Sequence, residues 1–391
     1  MSGPAVRHLY VHVPFCRAKC DYCDFYSLPV GDDESAGRCM EEYIEALHAE
    51  WAATAARYDV QRLHTLYLGG GSPSLLGPEL LDRLLAPFAP LLSARSEVTV
   101  ETNPEDVDDA FALWAAPGIA VGAAADSRCP VRVSLGVQSF ISSLRAALGR
   151  AAAADPEAAF TRLRMTGCEN VSIDLIYGIP GQTLADIARE LIKVAFLAPD
   201  HVSWYELDLD HATPLAWSLD SGDRIDDDDD EERAAMYVRI VHGLEDFGFR
   251  WYEVSNFAQP GKRARHNIAY WRGRPYLGLG PAAVSTVGAT RWRNRPDAAG
   301  YAAALHEGPE PERDYERLSV ADRARERLFL AARMGAPVSL TLIAPALDEA
   351  AVEPLAQAGL VSLRGGTLIV TRKGRYVANA VCVRLFRDSC I

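Results

Sequence analysis

The sequence predicts an α/β fold, a partial (β/α)6 barrel of the TIM type followed by a winged-helix-like C-terminal domain. Two observations support this prediction. Short apolar, β-branched runs alternate with longer amphipathic stretches through about residue 210, which is typical of a parallel sheet flanked by helices. The unusual polar residues fall at or just after the ends of those runs, where βα barrels place their active sites.

Six strands are predicted, at residues 9–13, 65–68, 98–101, 131–135, 171–176 and 202–207. Amphipathic helices are predicted between them, at residues 41–57, 78–92, 104–114 and 184–196. A complete barrel of this type has eight βα units, so six units predict a partial barrel. An extra stretch at residues 115–130 interrupts the approach to the fourth strand, and we assign it no function.

Candidate site residues follow the predicted strands. Three cysteines follow the first strand and a glycine-rich turn at residues 69–73 follows the second. Glu101 closes the third strand, Gln138 follows the fourth, and Asp174 lies near the end of the fifth. Since the carboxyl ends of parallel strands meet at one edge, we expect a single shared site there.

The rest of the chain divides into two further parts. A run of seven acids at residues 226–232 leads into a helical pattern, and a helix N-terminus explains it better than a metal or partner site. A dense aromatic and polar region follows, and after it come helices, a turn at Gly365 and Gly366, and a strand at 367–371. We predict a barrel at 1–225, an extension packing on it at 226–312, and a winged-helix-like domain at 313–391.

Composition narrows the function classes. The chain has 391 residues, and 40 basic against 53 acidic residues give a net charge of −13, which argues against a nucleic-acid binder with a broadly basic surface. A local basic stretch leaves a nucleic-acid-binding winged helix as a weak third interpretation; its residues are Arg372, Lys373, Arg375, Arg384 and Arg387. No signal peptide and no apolar stretch of about 18 to 20 residues is evident, so we expect a cytoplasmic protein without a transmembrane segment.

The cysteines carry the strongest chemical signal. In the cytoplasm thiols stay reduced, and the single cysteines are expected to be core or surface thiols; these are Cys39, Cys129, Cys168, Cys382 and Cys390. Cys16, Cys20 and Cys23 instead lie within eight residues and leave a fourth ligand position open. Zinc would need a fourth ligand at short spacing, so a [4Fe-4S] cluster with one free iron is favoured over zinc or a purely structural cluster.

The spacing of Cys16, Cys20 and Cys23 resembles the CX3CX2C signature of radical S-adenosylmethionine (SAM) enzymes, and the expected barrel then resembles theirs. The resemblance implies that the open iron chelates the amino and carboxylate groups of SAM. It also implies that an electron from the cluster splits SAM to a 5′-deoxyadenosyl radical, and hence an electron donor to the cluster.

Further segments resemble the oxygen-independent coproporphyrinogen III oxidase-like family and, within it, the HemW-type heme chaperones. The matching segments are YVHVPFC at 10–16, GGGSP at 69–73, ETNP at 101–104, LGVQSF at 135–140, DLIYGIP at 174–180, YEVSNF at 252–257 and HNIAYW at 266–271. Decarboxylating oxidases carry a fourth cysteine directly after the triplet and a longer N-terminal segment. Here Asp24 and Phe25 follow Cys23, and fifteen residues precede Cys16.

The resemblance therefore implies a protein that binds heme and delivers it to heme-dependent respiratory proteins. The alternative is an oxidase that decarboxylates the propionates of coproporphyrinogen III to vinyls, and whether the chain is an enzyme stays open. A homodimer and peripheral contact with a membrane also stay open.

The resemblance further assigns SAM contacts. Gly70 and Gly71 would meet the methionyl end through their backbone, although the glycine turn alone equally fits an ordinary strand-to-helix turn. The other SAM contacts and a residue near the cluster would be Glu101, Gln138, Arg150, Asp174 and Tyr10. The histidine that the family has after Arg150 is replaced here by alanines at 151–154, which receive no role.

HNIAYW at 266–271 resembles the HNxxYW motif of the chaperone branch. His266 would ligate heme iron, and Tyr270 or Trp271 would stack on the porphyrin. Arg263 and Arg265 would pair with its propionates. From the residues alone, a His266 bonded to a backbone carbonyl and a Trp271 in the core are favoured, and the resemblance brings the two interpretations into balance.

Overall fold

A nine-stranded sheet forms the centre of the computed structural model, which describes residues 5–31, 34–121, 127–150, 154–208, 213–220, 228–308 and 310–387. Its strands are β1 (His8–Val13), β2 (Thr65–Gly70), β3 (Glu97–Thr102), β4 (Val131–Gln138), β5 (Val171–Tyr177), β6 (His201–Glu206), β7 (Arg250–Trp251), β8 (Asn256–Ala258) and β9 (Leu277–Leu279). Their spatial order is β7-β8-β6-β5-β4-β3-β2-β1-β9. The first six strands are the six predicted ones, they are parallel, and they lie in sequence order, which confirms the predicted α/β barrel fold.

The two margins of the sheet were not predicted. β9 pairs in parallel with β1, with Leu9 opposite Leu277, and so adds a strand beyond the first. On the other side β8 runs antiparallel to β6. The central strands are buried on both faces, as continuous Val, Leu and Ile runs in parallel sheets require.

Helices occur along the whole of the described chain, some around the central sheet and the last ones in the C-terminal part. They are α1 (Glu34–Tyr58), α2 (Gly77–Leu85), α3 (Asp109–Ala115), α4 (Ser142–Ala147), α5 (Pro156–Met165), α6 (Leu184–Leu197), α7 (Pro214–Asp220), α8 (Asp228–Asp246), α9 (Arg265–Trp271), α10 (Ala298–Glu307), α11 (Val320–Met334), α12 (Leu340–Ile343), α13 (Glu349–Gln357), α14 (Arg372–Arg375) and α15 (Ala378–Leu385). No helix in the described ranges is both long enough and apolar enough to span a membrane.

Two predicted helices are broken. The helix expected at 78–92 ends at Leu85, because Pro87 lacks the N–H that would continue the helical hydrogen bonds. The helix expected at 104–114 begins with a 3-10 turn, and α3 starts only after Asp108, whose side chain accepts a hydrogen bond from the N–H of Phe111 at 2.7 Å.

Some predicted features fall on residues that are not described. Residues 122–126 of the extra stretch, the alanines at 151–153, the acids at 226–227 and Cys390 lie outside the described residues. On either side of 122–126, Ile119–Ala120 and Arg128–Cys129 form a short antiparallel pair. The acidic residues from 228 onward belong to α8.

The C-terminal part contains two three-stranded antiparallel sheets. β10 (Val284–Val287), β11 (Thr290–Asn294) and β12 (Arg313–Arg317) form the first. β13 (Val338–Ser339), β14 (Val361–Arg364) and β15 (Thr367–Val370) form the second, which shares a separate core with α11, α13 and α15. The first sheet continues to residue 317, and the domain boundaries at 225 and 312 stay predictions.

Glu50 of α1 joins the extension to the barrel. It is completely buried, and its carboxylate accepts four hydrogen bonds. The donors are Gly280 N at 2.9 Å, Asn294 Nδ2 at 2.8 Å, Tyr301 Oη at 2.7 Å and Arg313 Nη2 at 2.8 Å. They come from the residue after β9 and from β11, α10 and β12, so one carboxylate fixes four elements of the extension.

A second buried carboxylate, Glu190 of α6, supports the loop after β4. The hydroxyl of Ser139 donates to Glu190, and the Arg145 guanidinium donates to the Ser139 carbonyl at 2.8 Å. Burial raises the pKa of Glu190 to about 7, although the hydrogen bond from Ser139 favours the charged form. This loop begins at Gln138, so Glu190 helps to position a candidate site residue.

Replacing Glu50 should destabilise the fold strongly. Glu50→Ala removes the acceptor of four buried donors and leaves Arg313 with only the partly exposed Glu310, at 3.3 Å. We therefore expect a loss of about 3–5 kcal/mol in the free energy of unfolding, measured by urea denaturation. Glu45→Ala is the control, since Glu45 pairs with Arg83 at the surface and should cost below about 1 kcal/mol. Equal losses in the two variants would show that Glu50 does not organise the fold.

Glu190→Gln should change how stability depends on pH. The folded-state pKa of Glu190 is raised above its unfolded value, so its protonated form favours folding at low pH, and this contribution is lost as pH rises toward 7. We expect the free energy of unfolding of Glu190→Gln, taken relative to that of the unmodified protein, to rise by about 2 kcal/mol from pH 5 to pH 8. Urea denaturation at both pH values measures this difference, and a constant difference would contradict it.

Candidate iron-sulfur and cofactor site

The cysteine loop, residues 16–23, leaves the carboxyl end of β1. The two-residue strands Phe15–Cys16 and Leu28–Pro29 pair in parallel at its base, and the N–H of Cys23 donates to the carbonyl of Cys20 at 3.1 Å. All three cysteines are half-buried and carry free thiols. The fold therefore presents the predicted triplet on one closed loop above the barrel.

Electrostatics show that these thiols lie near one another. Burial, and after it the charge of the neighbouring Cys23, raise the pKa of Cys16 to about 11. Burial also raises the pKa of Cys20 and of Cys23. Thiolates in such a place need a cationic partner, which iron would supply.

The donor set fits a cluster better than a single ion. Among the described residues, no three His, Cys, Asp or Glu side chains converge closely enough to hold one metal ion. Each thiolate of a [4Fe-4S] cluster binds its own iron, so the three sulfur atoms need not share one centre. Three half-buried thiols on one loop satisfy that requirement, with no fourth ligand from the loop.

Asp106, which sequence reasoning missed, braces the cysteine loop. Its carboxylate is buried and accepts from Arg17 Nε at 2.5 Å and from Ser72 Oγ at 2.5 Å. It thereby ties the cysteine loop to the glycine turn after β2. Its position two residues beyond the ETNP segment gives no local sign of this role.

The glycine turn is tightly packed against β1. Gly70 has φ of +107°, and a Cβ there would lie 2.5 Å from the His12 ring. A Cβ at Gly71 would lie 2.4 Å from the Phe15 carbonyl oxygen. Close packing within the protein thus explains glycine at both positions. The N–H of Gly71 donates to the carbonyl of Val13 at 2.8 Å, and the methionyl contact of Gly70 and Gly71 stays a prediction.

Glu101 lies beneath this turn, in a layer of buried polar side chains that we call the polar floor and that also contains Tyr67, Asp174 and Tyr10. It accepts hydrogen bonds from Tyr67 Oη at 2.5 Å and from Gly70 N at 3.1 Å. Burial raises the pKa of Glu101 to about 7, against the hydrogen bond from Tyr67, and the nearby Asp174 charge adds to the increase. A cation placed beside Glu101, such as the amine of a cofactor, would favour its charged form.

Asp174 and Tyr10 extend the same floor. Asp174 accepts from Ser134 Oγ at 2.8 Å and from Ser172 Oγ at 3.3 Å, and burial raises its pKa. The Tyr10 hydroxyl bonds His12 Nδ1 at 3.0 Å. Both lie inside the barrel, where the pleat of parallel strands directs alternate side chains.

The side chains of Gln138 and Arg150 both lie near Gly136, close to the end of β4 and beside the cysteine loop. A bulge between Gly136 and Gln138 turns the strand, and Gln138 has φ of +63°, which is uncommon for a residue other than glycine. Arg150 donates to the Gly136 carbonyl at 2.5 Å and to the Asn103 amide oxygen. Cys20 lies close enough to interact with the Arg150 charge.

His266 lies at the opposite, amino-terminal end of the barrel. Glu97 accepts the N–H groups of Arg265 and His266 at 2.9 Å each and so fixes the start of α9. His266 Nδ1 bonds the hydroxyl of Thr65, the first residue of β2, at 2.8 Å, and not the backbone carbonyl considered above. Its Nε2 is buried without a partner, and burial lowers its pKa to about 3.

A cavity of about 1140 Å³ runs along the open side of the barrel beside α9. Barrel and α9 residues on its wall include Tyr10, Tyr67, Tyr205, His266, Tyr270 and Trp271, and the C-terminal part adds Arg333, Arg375 and Tyr376. Trp271 is half-buried on this wall, which does not match the core position considered above.

Arg263 and Arg265 do not belong to the described residues that line the cavity. Arg265 donates to the Arg95 carbonyl at 2.5 Å, and the Arg263 guanidinium lies over the Tyr252 ring. Arg263 precedes α9 and Arg265 is its first residue, so closeness to His266 in the sequence does not bring either side chain to the cavity wall.

A parallel barrel that carries a three-cysteine loop after its first strand defines the class of radical SAM proteins, and the Radical SAM superfamily domain matches residues 10–192. Coproporphyrinogen III oxidase (HemN) from Escherichia coli, a radical SAM enzyme, is similar in fold, with a TM-score of 0.78 at 23% identity over 97% of this chain and 90% of that one. This likeness shows the fold alone.

Curated relatives are similar over nearly the whole length. The heme chaperone HemW of Mycobacterium tuberculosis is 37% identical over 95% of this chain and 93% of its own, and that of Bacillus subtilis 30% over 96% and 98%. The mouse mitochondrial radical S-adenosyl methionine domain-containing protein 1 is 36% identical over 70% of this chain and 59% of its own. This chain belongs to the HemW family.

Each cysteine of the triplet should be needed for the cluster. After anaerobic reconstitution with iron and sulfide, we expect Cys16→Ala, Cys20→Ala and Cys23→Ala to lose most bound iron and the visible sulfur-to-iron absorption, because a cluster bound through only two thiolates is labile. Cys39→Ala, which removes an exposed single cysteine, should keep both signals. Full iron content in any triplet variant would contradict the assignment.

Proposed function

We propose that this protein binds heme and delivers it to heme-dependent respiratory proteins, and that it holds a [4Fe-4S] cluster and SAM at the opposite end of the same barrel. The observation that carries the proposal is the aromatic-lined cavity beside the unpartnered Nε2 of His266. Membership in a family whose relatives are named heme chaperones supports it. The cavity is slightly larger than the range of about 300–1,000 Å³ that is usual for ligand pockets.

His266 suits iron for two reasons. An imidazole must be neutral to coordinate a metal, and burial keeps this ring neutral. The hydroxyl of Thr65 bonds both His266 Nδ1 at 2.8 Å and His8 Nδ1 at 2.9 Å, which fixes the ring and leaves Nε2 available. Because Nε2 is covered in this structure, coordination requires an adjacent ring to move, and Tyr270 packs 4.6 Å from the imidazole.

The cofactor end would be served by the residues already described. Cys16, Cys20 and Cys23 would hold the cluster, which when bound supplies an electron to SAM. The SAM contacts would be Gly70, Gly71, Glu101, Gln138, Arg150 and Asp174, with Tyr10 beneath them. Heme binding and delivery as proposed involve no step that cleaves SAM.

The proposal extends to partners and location. Reduced thiols are needed to assemble the cluster, which fits a cytoplasmic location. Delivery requires contact with heme-receiving respiratory proteins, and reduction of the cluster requires an electron donor. A homodimer and peripheral membrane contact are further assemblies to examine, for instance by gel filtration and vesicle flotation.

An anaerobic heme titration of the reconstituted protein, with and without SAM, tests the proposal. We expect a saturable Soret change, and we expect His266→Ala to weaken binding at least tenfold and shift the Soret maximum, because the axial ligand is lost. His306→Ala, which changes an exposed histidine on α10, should bind like the unmodified protein.

Two results would overturn the proposal. The first is the absence of saturable heme binding by the reconstituted protein. The second is conversion of coproporphyrinogen III to a decarboxylated product in an anaerobic assay with SAM and reductant, which would favour the oxidase alternative.

A further inference from the structure

Two arginines of the C-terminal part face the cavity with unused hydrogen-bond donors. Arg333 lies at the end of α11 and Arg375 in α14, and both line the cavity that contains His266. Arg333 Nη1 and Arg375 Nε and Nη2 are buried and lack a hydrogen-bond partner. Buried donors without partners are rare in native proteins, because each loses its hydration without compensation.

Stacking on aromatic rings holds these guanidinium groups in place. Arg375 lies over the Trp251 ring at 3.6 Å, and Arg333 lies over the Phe329 ring at 3.5 Å. The N–H groups of a stacked guanidinium lie in the plane of the group and point outward, so the aromatic ring does not block them. Burial lowers the pKa of Arg375 to about 10, so it is still charged at neutral pH.

The negative charge nearby does not satisfy these donors. Glu253 is completely buried on the same cavity wall, and neither of its carboxylate oxygens accepts a hydrogen bond from Arg333 or Arg375. Its polar neighbours are the Asn256 side chain and the Ser255 backbone, which favour its charged form. Burial raises the pKa of Glu253 to about 7, so at neutral pH one partly ionised carboxylate faces two guanidinium groups. Glu206 and Asp208 also line the cavity, and Glu206 pairs with Arg233 at 3.5 Å and accepts the Tyr177 hydroxyl at 3.2 Å. Neither of these two carboxylates supplies an acceptor to the unpartnered donors of Arg333 and Arg375.

We propose that Arg333 and Arg375 bind the propionate carboxylates of the heme that His266 ligates. This inference rests on the proposed function and names the part of the ligand that the C-terminal module recognises. A planar guanidinium matches a carboxylate through two parallel hydrogen bonds, and the aromatic side chains that line the same cavity suit the porphyrin plane. Tyr177 and Tyr237, stacked at 5.8 Å, belong to that wall.

The consequence concerns how heme enters and leaves. The iron ligand belongs to the barrel extension, whereas the carboxylate ligands belong to α11 and α14 of the C-terminal module. Heme bound in this way contacts both parts of the chain at once. The C-terminal module is then a second half of the heme site, recognising carboxylates and not nucleic acid.

Blocking the propionates on the ligand tests this directly. Full-length reconstituted protein is titrated with heme and with heme dimethyl ester, whose carboxylates are esterified. Since a hydrogen bond to a charged group contributes about 1.5–3 kcal/mol, we expect the unmodified protein to bind the diester at least tenfold more weakly than heme. In the double variant Arg333→Gln/Arg375→Gln, the two ligands should bind within about threefold of each other.

Controls separate recognition from folding. Arg327→Gln changes an exposed arginine on α11 and should keep the full preference for heme. The preference is the ratio of the affinities for heme and for the diester, measured within each variant. A general loss of stability, which thermal denaturation measures, lowers both affinities and does not abolish this ratio. Arg333→Lys/Arg375→Lys retains the charges and should restore part of the preference. The Soret maximum should stay unchanged in the arginine variants, since the iron ligand is intact.

The possible failures are distinct. If the unmodified protein binds heme and its diester equally, the assignment of Arg333 and Arg375 is overturned and the proposed function stands. If the double variant keeps the full preference for heme, the assignment is likewise overturned. If the unmodified protein binds neither ligand, the proposed function itself fails.

Discussion

The buried carboxylate of Glu50 is the interaction on which the geometry of the site depends. It accepts donors from the residue after β9 and from three further elements of the extension, and so holds the extension against α1. β9 pairs with β1, the strand that leads into the cysteine loop, and α9 directly precedes β9. The position of His266 relative to the cysteines therefore depends on a charge that is far from both.

The barrel was predictable because its signal is local. Each of the six parallel strands is a short apolar run between amphipathic stretches, and the periodicity reveals both. β9 escaped prediction because it has three residues and contains Gly278, where a Cβ would lie 2.2 Å from the Val284 carbonyl oxygen. Its strand character comes from pairing with β1, which no local pattern encodes.

The same division applies to the site. Glu101, Gln138 and Asp174 could be grouped from the sequence, since parallel strands place their carboxyl ends at one edge. Asp106 and Arg375 could not, because their partners Ser72 and Trp251 are 34 and 124 residues away in the chain. Arg333 could not either, because the cavity that it lines is formed by segments distant from it in the sequence. Arg263 and Arg265 show the converse: both lie close to His266 in the sequence, yet neither is among the described residues that line the cavity beside it.

The geometry also constrains how a SAM protein could handle heme. His266 bonds Thr65 at the start of β2, and the glycine turn begins at its end, so about 16 Å separates them at 3.3 Å per residue. Heme iron on His266 would thus lie far from an iron on the cysteine loop. Direct contacts nevertheless connect these two ends of the barrel. The Tyr67 ring packs 5.1 Å from the His266 ring, and its hydroxyl donates a hydrogen bond to Glu101. Glu101 in turn accepts a hydrogen bond from the N–H of Gly70. If SAM binds at Glu101 and heme at His266, as proposed, Tyr67 is the side chain that contacts both binding residues, and it would link the two ends without chemistry at the heme end.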